Sequence, residues 1–281
     1  MTPLVSPAAL LAQSLHESVV LLDARSGPAA RQQYEAQHLR GAQFVALEHD
    51  LAAPVADAAA GGRHPLPELT AFAETLGRLG ITPASHVVVY DDKAGANAAA
   101  RCWWLLRAVG HPAVQVLDGG LAAALAAGFP TSAGPEAVAS APPYPVTGWA
   151  LPTVTMAEVE RATRDGSSLI IDVREAARYR GETEPIDLVA GHIPTAVNVP
   201  FTGNLAADGT FLAPELLRAK YRAVLHERPE TEVIVHCGSG VTACHALLAM
   251  AQAGLALPSL YVGSWSEWSR NELPQATGEQ P

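Results

Sequence analysis

The sequence predicts an α/β fold made twice over: two tandem domains, each a parallel sheet flanked by helices on both faces. Three observations carry this. Short apolar, β-branched runs alternate with helix-like segments along the chain, the order that builds a parallel sheet with crossover helices. Landmarks of the first half return in the second roughly 145–155 residues later, which marks an internal duplication. Between the halves the rhythm stops in a stretch rich in Pro, Ala, Ser and Gly. The chain has 281 residues, room for two ordinary domains. The predicted boundaries are 1–130, a linker at 131–152, and 153–281.

In the first half, Ser6 caps a helix with Pro7 at its first position, running to Leu15. Val19 to Leu22 is a strand that closes on Asp23-Ala24-Arg25, and Arg31 to His38 is helical. Gln43 to Leu47 reads as a short strand, and 50–67 as loop. Glu68 to Gly80 is an amphipathic helix stopped by glycine, and His86 to Tyr90 is a strand. Ala96 to Val109 is a helix carrying Arg101 and the Trp103-Trp104 pair. Val114 to Leu117 is a strand, followed by Asp118-Gly119-Gly120 and a short helix.

The second half repeats the pattern. Thr155 caps a helix, and Leu169-Ile170-Ile171 is a strand closing on Asp172-Val173-Arg174. The segment from Gly191 to Ala196 echoes 38–42, Val233 to His236 echoes 87–90, and Leu260 to Gly263 echoes 116–119. Asp23, His38, Asp172 and His192 recur in both copies, which suits them to fold duties. Alternation along the strand turns His236 away from whatever its neighbour Cys237 faces.

The most informative stretch is His236-Cys237-Gly238-Ser239-Gly240-Val241-Thr242-Ala243. It joins a buried strand to a helix that ends at Gly254. Ligands bind at such strand ends in α/β sheets. Two glycines let the backbone curl so that successive N–H groups converge, and a helix N-terminus adds to the attraction for an anion. A thiolate held there is a nucleophile that can take up a sulfur atom and release it again. Aligned by the strand, Cys237 falls opposite Asp91, so the first copy is expected to be catalytically silent.

Cys-Gly-Ser-Gly-Val-Thr-Ala resembles the active-site loop of the rhodanese-type sulfurtransferases, in particular the 3-mercaptopyruvate branch. The duplicated layout is similar to that of the tandem members of the family over nearly the whole chain. The resemblance implies persulfide chemistry on Cys237, with the loop residues Gly238, Gly240, Val241 and Thr242 cradling the anionic sulfur. It implies that Ser239 assists thiol activation and that Arg178, in the run from Asp172 to Gly181, binds the donor carboxylate. Arg180 is a second candidate for donor binding. His64, in Arg63-His64-Pro65-Leu66-Pro67, resembles the family's His-x-Leu-Pro segment and is expected to relay a proton. Glu48 falls near the acid that would orient it. The loop carries no Arg or Lys, unlike thiosulfate-preferring members. One departure stands out: where the branch often carries a second arginine, this chain has Asp187.

The donor expected is therefore 3-mercaptopyruvate, with thiosulfate as the alternative, and the acceptor cyanide, a small thiol or thioredoxin. A persulfide carrier or redox module acting on a protein partner is the other class of function compatible with the loop. The loop argues against a cysteine phosphatase, a third and weaker class, because the position six after Cys237 is Ala243 where Cys-x5-Arg enzymes need a guanidinium. A net charge of −10 argues against a nucleic-acid partner. Three cysteines make no disulfide framework, and no CxxC or HExxH run suggests a metal. No organic cofactor is required. The N-terminus lacks a basic region and a long apolar core, so a cytoplasmic protein with no membrane span is expected. A monomer or weak dimer follows, since the tandem arrangement already supplies a second domain.

Overall fold

The structure, a computed structural model, describes residues 1–13, 18–137 and 139–280. Ser14 and Leu15, at the end of the predicted first helix, and Val138 in the predicted linker lie outside the described residues. The chain forms two compact units. One comprises Met1–Ala53, Pro67–Ala150 and Ala207–Phe211, the other Pro54–Leu66, Leu151–Ala206 and Leu212–Pro281.

The first unit runs β1 (Leu4–Val5), α1 (Pro7–Gln13), β2 (Val19–Asp23), α2 (Ala30–Ala36), β3 (His38–Leu39), β4 (Gln43–Phe44) and α3 (Leu47–Asp50). It continues with α4 (Leu69–Arg78), β5 (His86–Tyr90), α5 (Ala98–Ala108), β6 (Val114–Leu117), α6 (Gly120–Ala126) and β7 (Thr131–Ser132). Its main sheet is parallel throughout, in the order β1-β6-β5-β2-β4. β5 sits at the centre because Val87 to Tyr90 are apolar on both faces and fully buried. Val5, Leu10, Leu21, Val88, Tyr90 and Leu117 pack one core cluster. Each such side chain removed from water contributes about 1.5–3 kcal/mol.

The second unit runs β8 (Thr153–Val154), α7 (Met156–Asp165), β9 (Leu169–Asp172), α8 (Ala176–Tyr179), β10 (Val197–Asn198) and α9 (Pro214–Leu225). It ends with β11 (Val233–His236), α10 (Thr242–Gln252), β12 (Ser259–Tyr261) and α11 (Ser264–Trp268). The sheet order β10-β9-β11-β12-β8 repeats that of the first unit, again all parallel. The start of α7 is a full capping box between Thr155 and Glu158, as its sequence predicts. The expected strand from Gln43 is shorter than read, ending at Phe44, because α3 begins at Leu47.

The duplication extends to single side chains. Arg25 forks onto Asp23 and caps the Gln37 carbonyl; Arg174 forks onto Asp172 and caps Gly191. Tyr34 stacks on His38 at 4.1 Å, and Tyr179 on His192 at 3.7 Å. The antiparallel pairing of His38 with Ser132 in β3–β7 returns as the isolated bridge of His192 with Ala276. These recurring groups fix backbone in both copies.

The proline-rich stretch beyond Thr131 is irregular yet anchored. Ala141 donates to the Gly77 carbonyl at 2.8 Å, Tyr144 to Ala73 at 2.9 Å and Ala150 to Ala108. Gly77 permits this approach, since a Cβ there would stand 2.7 Å from the Pro142 carbonyl. Proline and alanine give this stretch no period, but its backbone donors still find acceptors on helices.

Candidate active site

The chain leaves the centre of the second sheet at Cys237 and enters α10 at Thr242. Cys237 is buried, at the C-terminal edge where an α/β sheet presents its loops. α11 holds this loop from behind. The first N–H groups of a helix have no partner within it; here Trp265 N–H donates to the Cys237 carbonyl at 3.0 Å and Ser266 N–H to Gly238 at 2.8 Å. A trans peptide sets its N–H opposite its C=O. The N–H groups of Gly238 and Ser239 therefore point away from α11. The Cys237 N–H itself donates to Ser264 Oγ at 3.2 Å, and Ser264 adopts a left-handed φ of 53° to offer it. Gly240, at φ 73°, passes so close to β12's exit that a Cβ would meet the Val262 carbonyl at 2.5 Å.

The first unit shows what such a loop binds. At the matching strand end Asp91 is fully buried, and its carboxylate accepts the N–H groups of Lys93 (2.9 Å), Gly95 (2.8 Å), Asn97 (3.2 Å) and Ala99 (3.2 Å). Burial pushes the Asp91 carboxyl up and these donors pull against it. In the first unit the strand–loop–helix turn thus converges N–H groups on one position, which the loop's own side chain fills.

His64 reaches the cysteine loop. Its segment, Pro54–Leu66, folds with the second unit. Three groups of α11 and its C-terminal extension pin it: Gly61 N–H donates to Glu267, Arg63 N–H to Ser266 Oγ, and Asn271 Nδ2 to the Ala59 carbonyl. Gly62 makes the fit possible, because a Cβ there would lie 2.4 Å from the Gly263 carbonyl. His64 Nδ1 ends 2.7 Å from Ser239 Oγ, both side chains nearly buried.

A cluster of arginines and acids stands beside Gly238. Measured from the point where a Gly238 Cβ would be, Arg63 Nη2 is at 3.2 Å and Arg178 Nη2 and Nη1 at 3.6 and 3.7 Å. Glu184 takes Arg178 through Nε and Nη2, the latter at 2.7 Å. Burial opposes the charge on Glu184, but Arg178 and the N–H groups of Asp187 and Ile186 outweigh it and hold the carboxyl below its usual range. Asp187, its carboxylate fully buried, meets three arginines: Arg63 and Arg270 at 3.1 Å and Arg178 at 3.3 Å. Beneath them Arg174 pairs with Asp172 at 2.6 Å and lies 4.7 Å over the Trp265 ring.

Of the residues singled out from sequence, the second unit brings together Cys237, Ser239, His64, Arg178 and the loop glycines. Arg180 is paired with Glu182 at the surface, and none of its contacts among the described residues reaches the loop. Glu48 is an exposed side chain of α3 in the first unit. His236 is buried between Asp172 and Tyr261, turned from the site as strand alternation requires. Arg101 is buried, with Nε toward the Leu51 carbonyl. Sequence reasoning passed over Arg63, Ser264, Ser266, Glu267 and Arg270. Trp265 and Trp268 are buried, with their indole N–H groups on the Val189 and Pro274 carbonyls.

Among the described residues no group of His, Cys, Asp and Glu is arranged to hold a metal ion, and no helix is long and apolar enough to cross a membrane. The rhodanese-like domain family matches residues 6–127 and again 155–271. A Pseudomonas aeruginosa protein named probable 3-mercaptopyruvate sulfurtransferase is 45% identical over 250 residues, covering 88% of this chain and 86% of that protein. The thiosulfate sulfurtransferase of Gallus gallus is 36% identical over 252 residues, covering 88% and 83%. The structure of 3-mercaptopyruvate sulfurtransferase from Leishmania major superposes with a TM-score of 0.83 at 29% identity, covering 96% of this chain and 74% of that one. With a matched domain in each half, a shared two-domain fold and relatives named as sulfurtransferases, the chain belongs to the rhodanese family and is a sulfurtransferase.

Proposed function

We propose that the enzyme moves sulfur from 3-mercaptopyruvate to a thiophilic acceptor through a persulfide on Cys237. The observation that carries this reading is the charge group beside an otherwise uncharged cysteine loop. Arg63, Arg178 and Arg270 face Glu184 and Asp187, leaving one surplus positive charge. One surplus cation suits the single carboxylate of an α-keto acid; a dianion such as thiosulfate would leave a negative charge uncompensated. Arg178 presents the planar fork that a carboxylate accepts.

In the proposed step the Cys237 thiolate attacks the donor sulfur. An S–S bond forms as the donor's C–S bond breaks, and the electron pair passes to carbon as the enolate of pyruvate. Ser239 and His64, 2.7 Å apart, are the proposed path by which the donor thiol's proton reaches that carbon. The N–H groups of Gly238, Gly240, Val241 and Thr242 are proposed to steady the anionic outer sulfur. Cyanide, a small thiol or thioredoxin then attacks that sulfur, and the S–S electron pair returns to Cys237. Arg180, committed to Glu182, has no part in the scheme.

The test compares kcat/KM for 3-mercaptopyruvate and thiosulfate with cyanide as acceptor, in the wild type and Cys237→Ser. A preference for 3-mercaptopyruvate that vanishes in the serine variant supports the reading. A preference for thiosulfate would overturn the donor, and turnover by Cys237→Ser would overturn the persulfide.

A further inference from the structure

Arg63 stands in the sequence only as the residue before His64, yet its guanidinium is the cation nearest Gly238. Nη2 is 3.2 Å from the position a Gly238 Cβ would take, nearer than either terminal nitrogen of Arg178. Only glycine leaves room for two guanidinium groups against this peptide. Asp187 explains how they share the space. Its carboxylate accepts Arg63 Nε at 3.1 Å and Nη2 at 3.3 Å in a fork, and Arg178 Nη2 at 3.3 Å. The acid is buried, whereas 27% of the Arg63 side chain and 13% of the Arg178 side chain are exposed. Asp187 is thus the anchor below, and the arginines face outward. Among the described residues Nη1 of Arg63 and Nη1 of Arg178 have no hydrogen-bond partner. Both therefore keep donors to offer an anion.

We propose that Arg63 is a donor-binding residue, the second cation that grips the donor's carboxylate together with Arg178, and that Asp187 is the positioning residue that holds it there. The inference rests on the reading of the donor as an α-keto acid. It also accounts for the departure seen in the sequence: the place where the mercaptopyruvate branch often carries a second arginine holds an acid here, and the cation comes from the His64 loop. One segment then delivers both a carboxylate-binding group and the proposed proton relay, so donor binding and protonation are placed by the same backbone.

The test is competitive inhibition by pyruvate, which the proposed step releases, together with donor kinetics in Arg63→Gln, Arg63→Lys and the exchanged pair Arg63→Asp/Asp187→Arg. Removing a charge-assisted hydrogen bond to a carboxylate should raise the pyruvate inhibition constant and the KM for 3-mercaptopyruvate about tenfold to a hundredfold in Arg63→Gln, with kcat changed far less. Arg63→Lys keeps the charge without the fork and should fall between. The exchanged pair rebuilds the ion pair and should recover most of the loss on either reading, so it controls for folding; the readout a purely structural Arg63–Asp187 pair would not give is a raised inhibition constant and KM with kcat little changed. Thermal unfolding of Arg63→Gln checks that the loop stays folded. An inhibition constant within twofold of wild type in a folded Arg63→Gln overturns the proposal, as does wild-type enzyme that pyruvate does not inhibit. Inhibition is read whichever donor turns over faster, so a thiosulfate preference would sink the donor assignment while the inhibition constants still judge Arg63.

Discussion

Replacing Asp91 by Ala tests whether the strand–loop–helix turn is an anion cradle. Four N–H groups converge on this one carboxylate, those of Gly95 and Ala99 buried and those of Lys93 and Asn97 part-buried. A buried donor left without an acceptor costs about 1–3 kcal/mol and a part-buried one less, so the four would cost about 3–8 kcal/mol if the loop stayed rigid. Two corrections lower this. The contacts to Asn97 and Ala99, at 3.2 Å, are the longer pair. Burial also works against the Asp91 charge, so its removal relieves a cost. The net loss expected is about 3–5 kcal/mol, the lower part of that range. For a unit of roughly 140 residues this is a fall of about 10–15 °C in melting temperature. Asp91→Asn should cost about half as much: its oxygen can keep Lys93 and Gly95, but its NH2 then faces two donors. Hydrogen exchange on the peptide 91–100 gives the direct readout, with the amides of 93, 95, 97 and 99 losing protection in Asp91→Ala. Unchanged protection with a melting shift under about 3 °C would refute the cradle, and with it the use of the first unit to explain the second.

Three further outcomes follow from single positions. Ser264→Ala removes the acceptor of the buried Cys237 N–H and keeps the left-handed backbone, so it should lose about 2–3 kcal/mol in urea unfolding; Ser264→Gly relieves the strain and should lose about 1 kcal/mol less, and equal losses would show that the φ of 53° carries no cost. Gly62→Ala drives a Cβ into the Gly263 carbonyl and should displace His64 from Ser239, lowering kcat at least tenfold while iodoacetamide still labels Cys237; a wild-type kcat would disconnect the loop from turnover. Lys220 is half-buried, its Nζ donates among the described residues to Asn204 Oδ1 alone, and desolvation lowers its pKa to about 8. The unfolded chain therefore binds the extra proton between about pH 8 and 10.5, and wild-type stability rises across that window. Lys220→Met should stabilise at pH 7 by roughly 1–2 kcal/mol after allowance for solvent screening, and the gain should fade toward pH 10.5; a gain independent of pH would mean packing and not charge.

What could be read from the sequence was local. β5 and β11 announce themselves as uninterrupted β-branched runs because they are central and buried on both faces. The Cys237 loop announces itself by two glycines between a strand and a helix. The edge strands β1, β8 and β10 did not, because two residues have no period. α9 went unread although Leu217, Tyr221 and Leu225 form its buried stripe at helical spacing behind Pro214. The placement of 54–66 was illegible for a different reason. Its hydrogen bonds reach Ser266, Glu267 and Asn271, more than 200 residues away, and nothing local in a loop of Ala, Gly and Pro names a partner at that distance. Asp187 is the clearest case. An isolated acid in a loop is usually solvated, and only the fold shows that Arg63, Arg178 and Arg270 meet on it.

The two copies separate what the fold needs from what the chemistry needs. The Asp–Arg forks, the stacked Tyr–His pairs and the strand order are held in common, so none of them distinguishes the copy that carries Cys237. The difference lies in the first residue after the central strand and in the loop it opens. The first unit enters its helix seven residues after Asp91, and the second enters five after Cys237. The longer loop closes on its own side chain, because a carboxylate has two oxygens and can accept every N–H that converges there. A thiol offers one poorly accepting sulfur and cannot satisfy such a set of donors. The proposed persulfide would add a second, anionic sulfur one bond further out, a better acceptor than the thiol for N–H groups that point away from α11. On the proposed chemistry the loop's N–H groups would steady that anionic sulfur between the two half-reactions.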